Sequence, residues 1–341
     1  MPEPVAAVAG SGSSPTPHPR RPVQRLVVTG MVLVDWLVYL ERTPTGGAAV
    51  TATGFTAATG GGFNILAAAR RLGLPAAYAG RMGSGFFGRQ VLEDFAREDV
   101  VCLLPVEPGQ DTGFDIGLIE AGGENSYISI PGVEAHLRLE DLRSLPLQPG
   151  DAIYLSGYDF VEGYNGRPLF QWLEELPDRY LVVFDPGPVI DQIAAGWLEV
   201  LLRRTDLLTL SRREATILAG SEEAEAALAR CAARIRAGGW VILRDGAEGC
   251  WLQGPEGPPT HVAARPPTRV VDTTGAGDTH LGAFLAWLAR GNDFKTSAWA
   301  ANVAASISIE RSGPATCPSL SELEAALADQ PLGAANGSPS S

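Results

Sequence analysis

The stretch Val271-Asp272-Thr273-Thr274-Gly275-Ala276-Gly277-Asp278-Thr279 runs directly into an apolar segment rich in Ala, Leu and Trp that reads as a helix. Two glycines around one alanine let backbone N–H groups converge with no side chain in the way. The helix adds the positive end of its dipole, so the junction is suited to an anion. An aspartate in the first turn fits a helix N-terminus but repels a resident anion. Asp278 makes chemical sense there if it takes a proton from a hydroxyl attacking that anion. The plainer reading is a cap that follows a tight Gly-Ala-Gly turn.

Two stretches near the other end of the chain bear on the choice. Leu26-Val27-Val28-Thr29-Gly30 reads as a buried opening strand, and Gly30 to Asp35 is expected to carry it into a loop ending in a carboxylate. Ligands of open α/β sheets collect at the C-terminal ends of strands, which places Asp35 for substrate contact. Thr59-Gly60-Gly61-Gly62-Phe63-Asn64 then precedes an Ala-rich helix from Ile65 to Leu72 that stops at Gly73. Further on, Ile153-Tyr154-Leu155, Leu181 to Phe184, Asp206 to Leu210 and Trp240 to Leu243 alternate with helix-like segments. That alternation predicts a mainly parallel sheet covered on both faces. Residues 43–59 and 112–130 show β-type alternation broken by glycines, as for a small antiparallel sheet, and Asn125 and Tyr127 read as exposed strand residues.

The chain has 341 residues, 45% of them hydrophobic and 19% charged, enough for one large α/β domain. Residues 1–24 and 331–341 read as disordered tails around a domain at 25–330. A formal charge of −13 argues against a nucleic-acid or anionic-membrane binder, because those polyanions require a basic footprint. No apolar stretch reaches membrane-spanning length. Cys102, Cys231, Cys250 and Cys317 have no metal-ligand spacing and read as reduced, packed thiols of a cytoplasmic protein.

The string from Asp272 to Asp278 resembles the C-terminal signature Asp-Thr-x-Gly-Ala-Gly-Asp of the PfkB carbohydrate kinases, the ribokinase-like family, at all seven positions. The resemblance implies an α/β three-layer sandwich with a mainly parallel central sheet and a small β-sheet lid, the latter often used for homodimerisation. It implies ATP-dependent phosphorylation of a primary hydroxyl, with Asp278 as general base and the Gly275-Ala276-Gly277 backbone as anion hole. Asp35, Gly60, Gly62 and Asn64 match positions that contact the acceptor. On the donor side Ser211, Gly246, Gly249, Asn302 and Ala305 match ATP-binding positions. Glu214 matches a residue that organises Mg²⁺ through water, and Asp272 and Thr274 mark a K⁺-like site seen in many relatives.

Some positions depart from the family pattern. Thr59 stands where the first glycine of a pair is usual, Gly85 where an Asp is common, Ser211 where an Asn is usual, and Arg244 where a smaller polar residue is common. Ser211-x-x-Glu214 also reads as a capping box. His280 replaces a usual Phe and reads as a packing variant. Leu33 and the Ser156-Gly157-Tyr158 stretch stand where ribokinase touches its sugar, so ribose is disfavoured. Trp36 and Phe63 are candidates for an apolar wall beside the acceptor. The alternatives are a nucleoside (adenosine-like) kinase and a non-catalytic sugar-binding regulator with the same fold.

Overall fold

The apolar runs become strands of a nine-stranded sheet. In the computed structural model, which describes residues 22–122, 125–313 and 315–332, the chain order is β1 (Arg25–Val28), β2 (Val32–Leu40), β3 (Gly54–Gly61), β4 (Ala76–Tyr78), β5 (Val101–Cys102), β6 (Phe114–Glu120) and β7 (Asn125–Ile130). There follow β8 (Asp151–Ser156), β9 (Leu181–Asp185), β10 (Leu207–Ser211), β11 (Trp240–Arg244), β12 (Cys250–Gln253) and β13 (Thr260–Val262). The large sheet has the order β13-β12-β11-β10-β9-β8-β1-β4-β5. Neighbours from β11 to β5 run parallel, and β12 and β13 close one edge antiparallel. β8, β9 and β10 are buried along nearly their whole length, as expected for strands covered on both faces.

Two hydrophobic cores lie on the two faces. One packs the sheet against α1 (Phe63–Arg71), α2 (Phe86–Arg97), α8 (Ala276–Ala289) and α9 (Phe294–Ser308). The other packs it against α4 (Gly166–Glu175), α5 (Ala195–Arg204), α6 (Arg212–Ala219) and α7 (Ala224–Ala232). Short α3 (Leu139–Arg143) adds Leu142 to the second core, and α10 (Leu320–Asp329) adds Leu323 to the first. Every residue of α8 from Thr279 to Leu288 is buried, because α8 lies between α9 and α1. A helix apolar all round is the kind that belongs in a core. The result is the expected three-layer α/β sandwich.

A second sheet, β3-β2-β6-β7, stands apart from the first. It differs from the expected antiparallel sheet starting in 43–59: its first strand is β2, β3 begins only at Gly54, and β2 and β6 at its centre run parallel. Asp35 is therefore not at the end of a loop but within β2. The reason is local. Gly30 breaks the chain out of the large sheet, and Val32, Val34, Leu37 and Leu40 then turn inward along a new strand. One nearly continuous apolar run thus serves two sheets, and the one polar residue at the boundary, Thr29, is buried and donates to the Tyr154 carbonyl. The expected tails lie mostly outside the described residues, as do Gly123 and Glu124 between β6 and β7.

Two departures have structural explanations. Thr59 is buried and donates from Oγ1 to Asp94 of α2, tying the second sheet to the body. Gly85 is the N-cap of α2 and offers no side chain. Asp111 supplies the carboxylate from another loop, accepting from the N–H groups of Gly88 (2.8 Å) and Phe87 (3.2 Å). A Cβ at Gly85 would stand 2.2 Å from Asp111 Cγ, so the two positions exclude each other's side chains. The four cysteines are free, three of them buried and Cys102 half-buried.

Candidate active site

Parallel pairing lines up the chemistry. Ser156 is opposite Asp185, and Ser211 opposite Arg244, so adjacent strands end in a row of polar side chains at one edge of the sheet. Arg244 Nη1 donates to Asp185 Oδ2 and to Thr209 Oγ1, each at 2.8 Å, and its Nη2 lies 3.6 Å from Glu214 Oε2. Its guanidinium carbon is 3.4 Å from where a Cβ on Gly277 would be, so the cation rests against the start of α8. Arg244 thus ties the ends of β9, β10 and β11 to the start of α8, a weight that the sequence alone did not give it.

The Gly-Ala-Gly turn opens α8 at the expected place. Gly275 adopts the left-handed conformation (φ 70°) as the N-cap of α8, which explains the need for glycine there. One refinement concerns Ala276, whose N–H turns back to the Thr273 carbonyl at 3.2 Å. Gly277 N–H, in the first turn of α8, has no acceptor within the helix, as helix geometry dictates. Asp272 braces the turn by accepting from the N–H groups of Thr274 (2.9 Å) and Gly313 (3.1 Å).

Asp278 opens into a cavity of about 420 Å³ between the two sheets, whose wall also carries Asp35, Asn64, Asp115 and Glu134. Asn64 Nδ2 is 3.4 Å from Asp278 Oδ2, and Asn64 Oδ1 accepts from Ala315 N–H at 3.0 Å. Asn64 thereby orients the Asp278 carboxylate. Burial, helped by the nearby Asp185 charge, pushes the Asp278 carboxyl up to about 7, while Arg244 and Asn64 act in the opposite direction. A carboxylate poised near neutrality is matched to general-base work.

Asp35 projects into the same cavity because Gly60 makes room for it: a Cβ at Gly60 would stand 1.9 Å from Asp35 Oδ2. Gly62 begins α1 and donates to the Met31 carbonyl at 2.9 Å, closing the crossing between the sheets. Asp35 pairs in register with Asp115 on the parallel neighbour β6. Burial and then the Asp115 charge push the Asp35 carboxyl up to about 7. Sequence reasoning missed Asp115, because only the β2–β6 register shows that the two carboxylates meet. It also set Tyr127 aside, yet Tyr127, Tyr154, Tyr158 and Tyr164 line the cavity. Trp36 and Phe63 do not. Trp36 packs against Phe55, Phe87 and Phe114, and Phe63 stacks on Phe95.

The remaining donor-side residues have visible partners. Ser211 and Glu214 form the capping box, Ser211 N–H donating to Glu214 Oε2 at 2.6 Å. Gly246 and Gly249 both have positive φ in the β11–β12 connection, and a Cβ on Gly249 would meet the Val262 carbonyl at 2.2 Å. Asn302 donates to the carbonyls of Val262 (2.9 Å) and Ala263 (3.0 Å), and its Oδ1 lies 3.1 Å from His280 Nε2. Its amide is committed to the wall, with no donor left for a nucleobase. Ala305, half-buried, lies one helical turn further along α9. Burial, reinforced by Arg244, lowers His280 to about 3, which keeps the ring neutral and makes it a packing residue. Among the described residues no three His, Cys, Asp or Glu side chains converge to hold a metal ion.

One sheet edge thus gathers a glycine-led helix start, a carboxylate raised toward neutrality and an adjoining cavity lined by carboxylates and tyrosines. The pfkB family carbohydrate kinase model matches residues 23–321, and the chain belongs to that family. It is 31% identical over 314 residues to an uncharacterized sugar kinase of Escherichia coli (strain K12), YegV, covering 88% of this chain and 93% of that one. It is 27% identical over 325 residues to ribokinase of Arabidopsis thaliana, covering 89% and 80%. The fold is also that of the A. thaliana ribokinase solved with ribose and ATP (TM-score 0.74, 24% identity, 90% of this chain and 99% of that one). Adenosine kinase of Sinorhizobium meliloti is equally similar in fold (TM-score 0.75, 21% identity, 89% and 98%).

Proposed function

We propose that this kinase transfers the terminal phosphoryl group of ATP to a primary hydroxyl of a sugar or sugar derivative held in the cavity between the two sheets. The observation that carries this reading is the position of Asp278, which borders that cavity with Asn64 on one side and has the Arg244 row on the other. The hydroxyl oxygen attacks the γ-phosphorus as its proton passes to Asp278, and the bond to the β-phosphate oxygen breaks to release ADP. Positioning and charge neutralisation supply most of the catalysis in such a transfer. The start of α8, with the Gly275 and Gly277 N–H groups, takes up the charge growing on the phosphoryl oxygens, and Arg244 adds a fixed cation beside it. Asp35 grips acceptor hydroxyls, while Asn64 holds the base in line.

A Mg²⁺ ion carried by the nucleotide would neutralise phosphate charge, and Asp185 and Glu214 are the carboxylates available to its waters. Both already accept hydrogen bonds from protein groups, which suits contact through water rather than direct ligation. The four tyrosines favour an acceptor with a ring face, so a nucleoside is the second reading. The retained base disfavours a non-catalytic regulator. The same reading carries a homodimer through the second sheet, where Phe55, Tyr127 and Ile128 are more than half exposed; light scattering on the purified protein tests it.

The decisive experiment is acceptor-dependent ADP release from MgATP across sugars and nucleosides, with Asp278→Asn alongside. Turnover that drops by about 10²- to 10⁴-fold in the variant supports the base assignment. Acceptor binding without turnover in the wild type would establish the regulator instead.

A further inference from the structure

The acceptor cavity is acidic and holds no basic side chain. Its wall carries four carboxylates, Asp35, Asp115, Glu134 and Asp278, and no Lys, Arg or His among the described residues. Arg244, whose charge reaches Asp278, lies outside this wall, bound to Asp185 and Thr209. Glu134 is occupied in bracing the wall, accepting from Gly113 N–H at 2.7 Å and Gly132 N–H at 2.8 Å. Asp278 is the proposed base. Asp35 is left to meet the ligand, with Asp115, whose carboxylate also takes a hydrogen bond from Ser129 of β7.

These two residues are register partners on adjacent parallel strands, so their side chains leave the same face of the sheet about 4.8 Å apart. Asp115 Oδ1 is buried and has no hydrogen-bond partner among the described protein groups. A buried carboxylate oxygen in that state needs a donor, and the ligand is the one group still to enter the cavity. Each carboxylate has lone pairs for two hydroxyl donors, so a pair at strand spacing matches two neighbouring hydroxyls on one molecule. The tyrosines, apolar in body and polar at the tip, suit the mixed surface of a polyhydroxylated ring.

Resting on the kinase reading above, we propose that the acceptor is an uncharged polyol that presents two adjacent hydroxyls to Asp35 and Asp115, and that Asp115 sets this specificity. Sugar phosphates, sugar acids and nucleotides are rejected, since each would place an anion among carboxylates with no cation to receive it. A cationic amino sugar gains little over its neutral parent, because burial, and then the Asp115 charge, push the Asp35 carboxyl up to about 7, and burial raises Asp115 as well, so the pair offers an ammonium group less charge than two free carboxylates would.

The test measures kcat/KM with MgATP for matched acceptors: hexoses and pentoses, their terminal phosphates, the corresponding sugar acids, amino sugars, and nucleosides with their monophosphates. Calorimetric binding of the same compounds is measured in parallel. The neutral member of each pair is expected to exceed the anionic one by at least about 100-fold. Asp115→Asn is expected to lower kcat/KM for the preferred polyol by roughly tenfold or more, chiefly through KM, and to narrow the neutral-to-anionic ratio. A merely structural role for Asp115 leaves that ratio unchanged. An anionic acceptor that is turned over well, or an amino sugar preferred tenfold over its parent, overturns this inference and leaves the kinase reading standing. Neutral polyols that bind but are never phosphorylated overturn the kinase reading and support the inference. No binding of any neutral compound overturns the inference.

Discussion

At the scale of single residues, the buried carboxyls set the pH behaviour. Asp278 is held up to about 7, so at pH 6 it is mostly protonated and cannot accept a proton. Activity is therefore expected to rise with pH through about 7 and level off above it, an acid limb visible in kcat/KM against pH. Asp159 makes the same point for stability. It is fully buried, its Oδ2 has no partner among the described groups, and burial raises it to about 7, offset in part by Asn165 and backbone donors. Its folded pKa lies above the unfolded one, so the folded state binds the extra proton between about 4 and 7 and loses stability as pH rises through that window. Asp159→Asn is expected to stabilise the protein at pH 8 by about 1–3 kcal/mol, with the gain fading toward pH 4. Thermal unfolding at the two pH values checks both the size and the sign.

At the scale of elements, α2 shows how a helix start can borrow its cap. Asp111 does for α2 what an N-cap side chain at Gly85 would otherwise do. Asp111→Gly alone is expected to cost about 1–2 kcal/mol, as lost N-caps do. Gly85→Asp alone is expected to be destabilising through overlap with Asp111, whereas the double variant recovers most of the loss, because the backbone at Gly85 (φ −73°, ψ −159°) accepts an ordinary residue. A double-mutant cycle by chemical denaturation reads the coupling directly. The capping box at Ser211 and Glu214 was legible in the sequence because both partners lie within four residues. The cap on α2 was not, because its donor and acceptor are 23 and 24 residues apart.

For the whole molecule, the question is how the second sheet is held over the large one. Trp36 of β2 packs on Phe87 of α2 as well as on Phe55 and Phe114 of its own sheet, which makes it an apolar rivet between the layers. Trp36→Ala is expected to raise the acceptor KM by roughly tenfold or more, a loss that 1.4 kcal/mol already produces. The KM for MgATP stays unchanged, because the donor row on β9, β10 and β11 does not touch that cluster. Steady-state kinetics with each substrate varied in turn separates the two effects.

By itself the sequence determined the layered α/β architecture, the family and the start of α8, and it singled out Asp278 as the proposed base, because each is written in a local pattern: alternating apolar runs, and seven contiguous residues from Asp272 to Asp278. It set Asp35 near a substrate from its place after the opening strand, and Asn64 by resemblance. Only the tertiary structure decided that Asp35 lies within a strand of a second sheet and meets Asp115, that Asn64 steadies Asp278, and that Arg244 joins Asp185 to Glu214 at the C-terminal ends of the strands. Those contacts join residues dozens to hundreds of positions apart. Strand register and helix packing fix them, and no local periodicity encodes either.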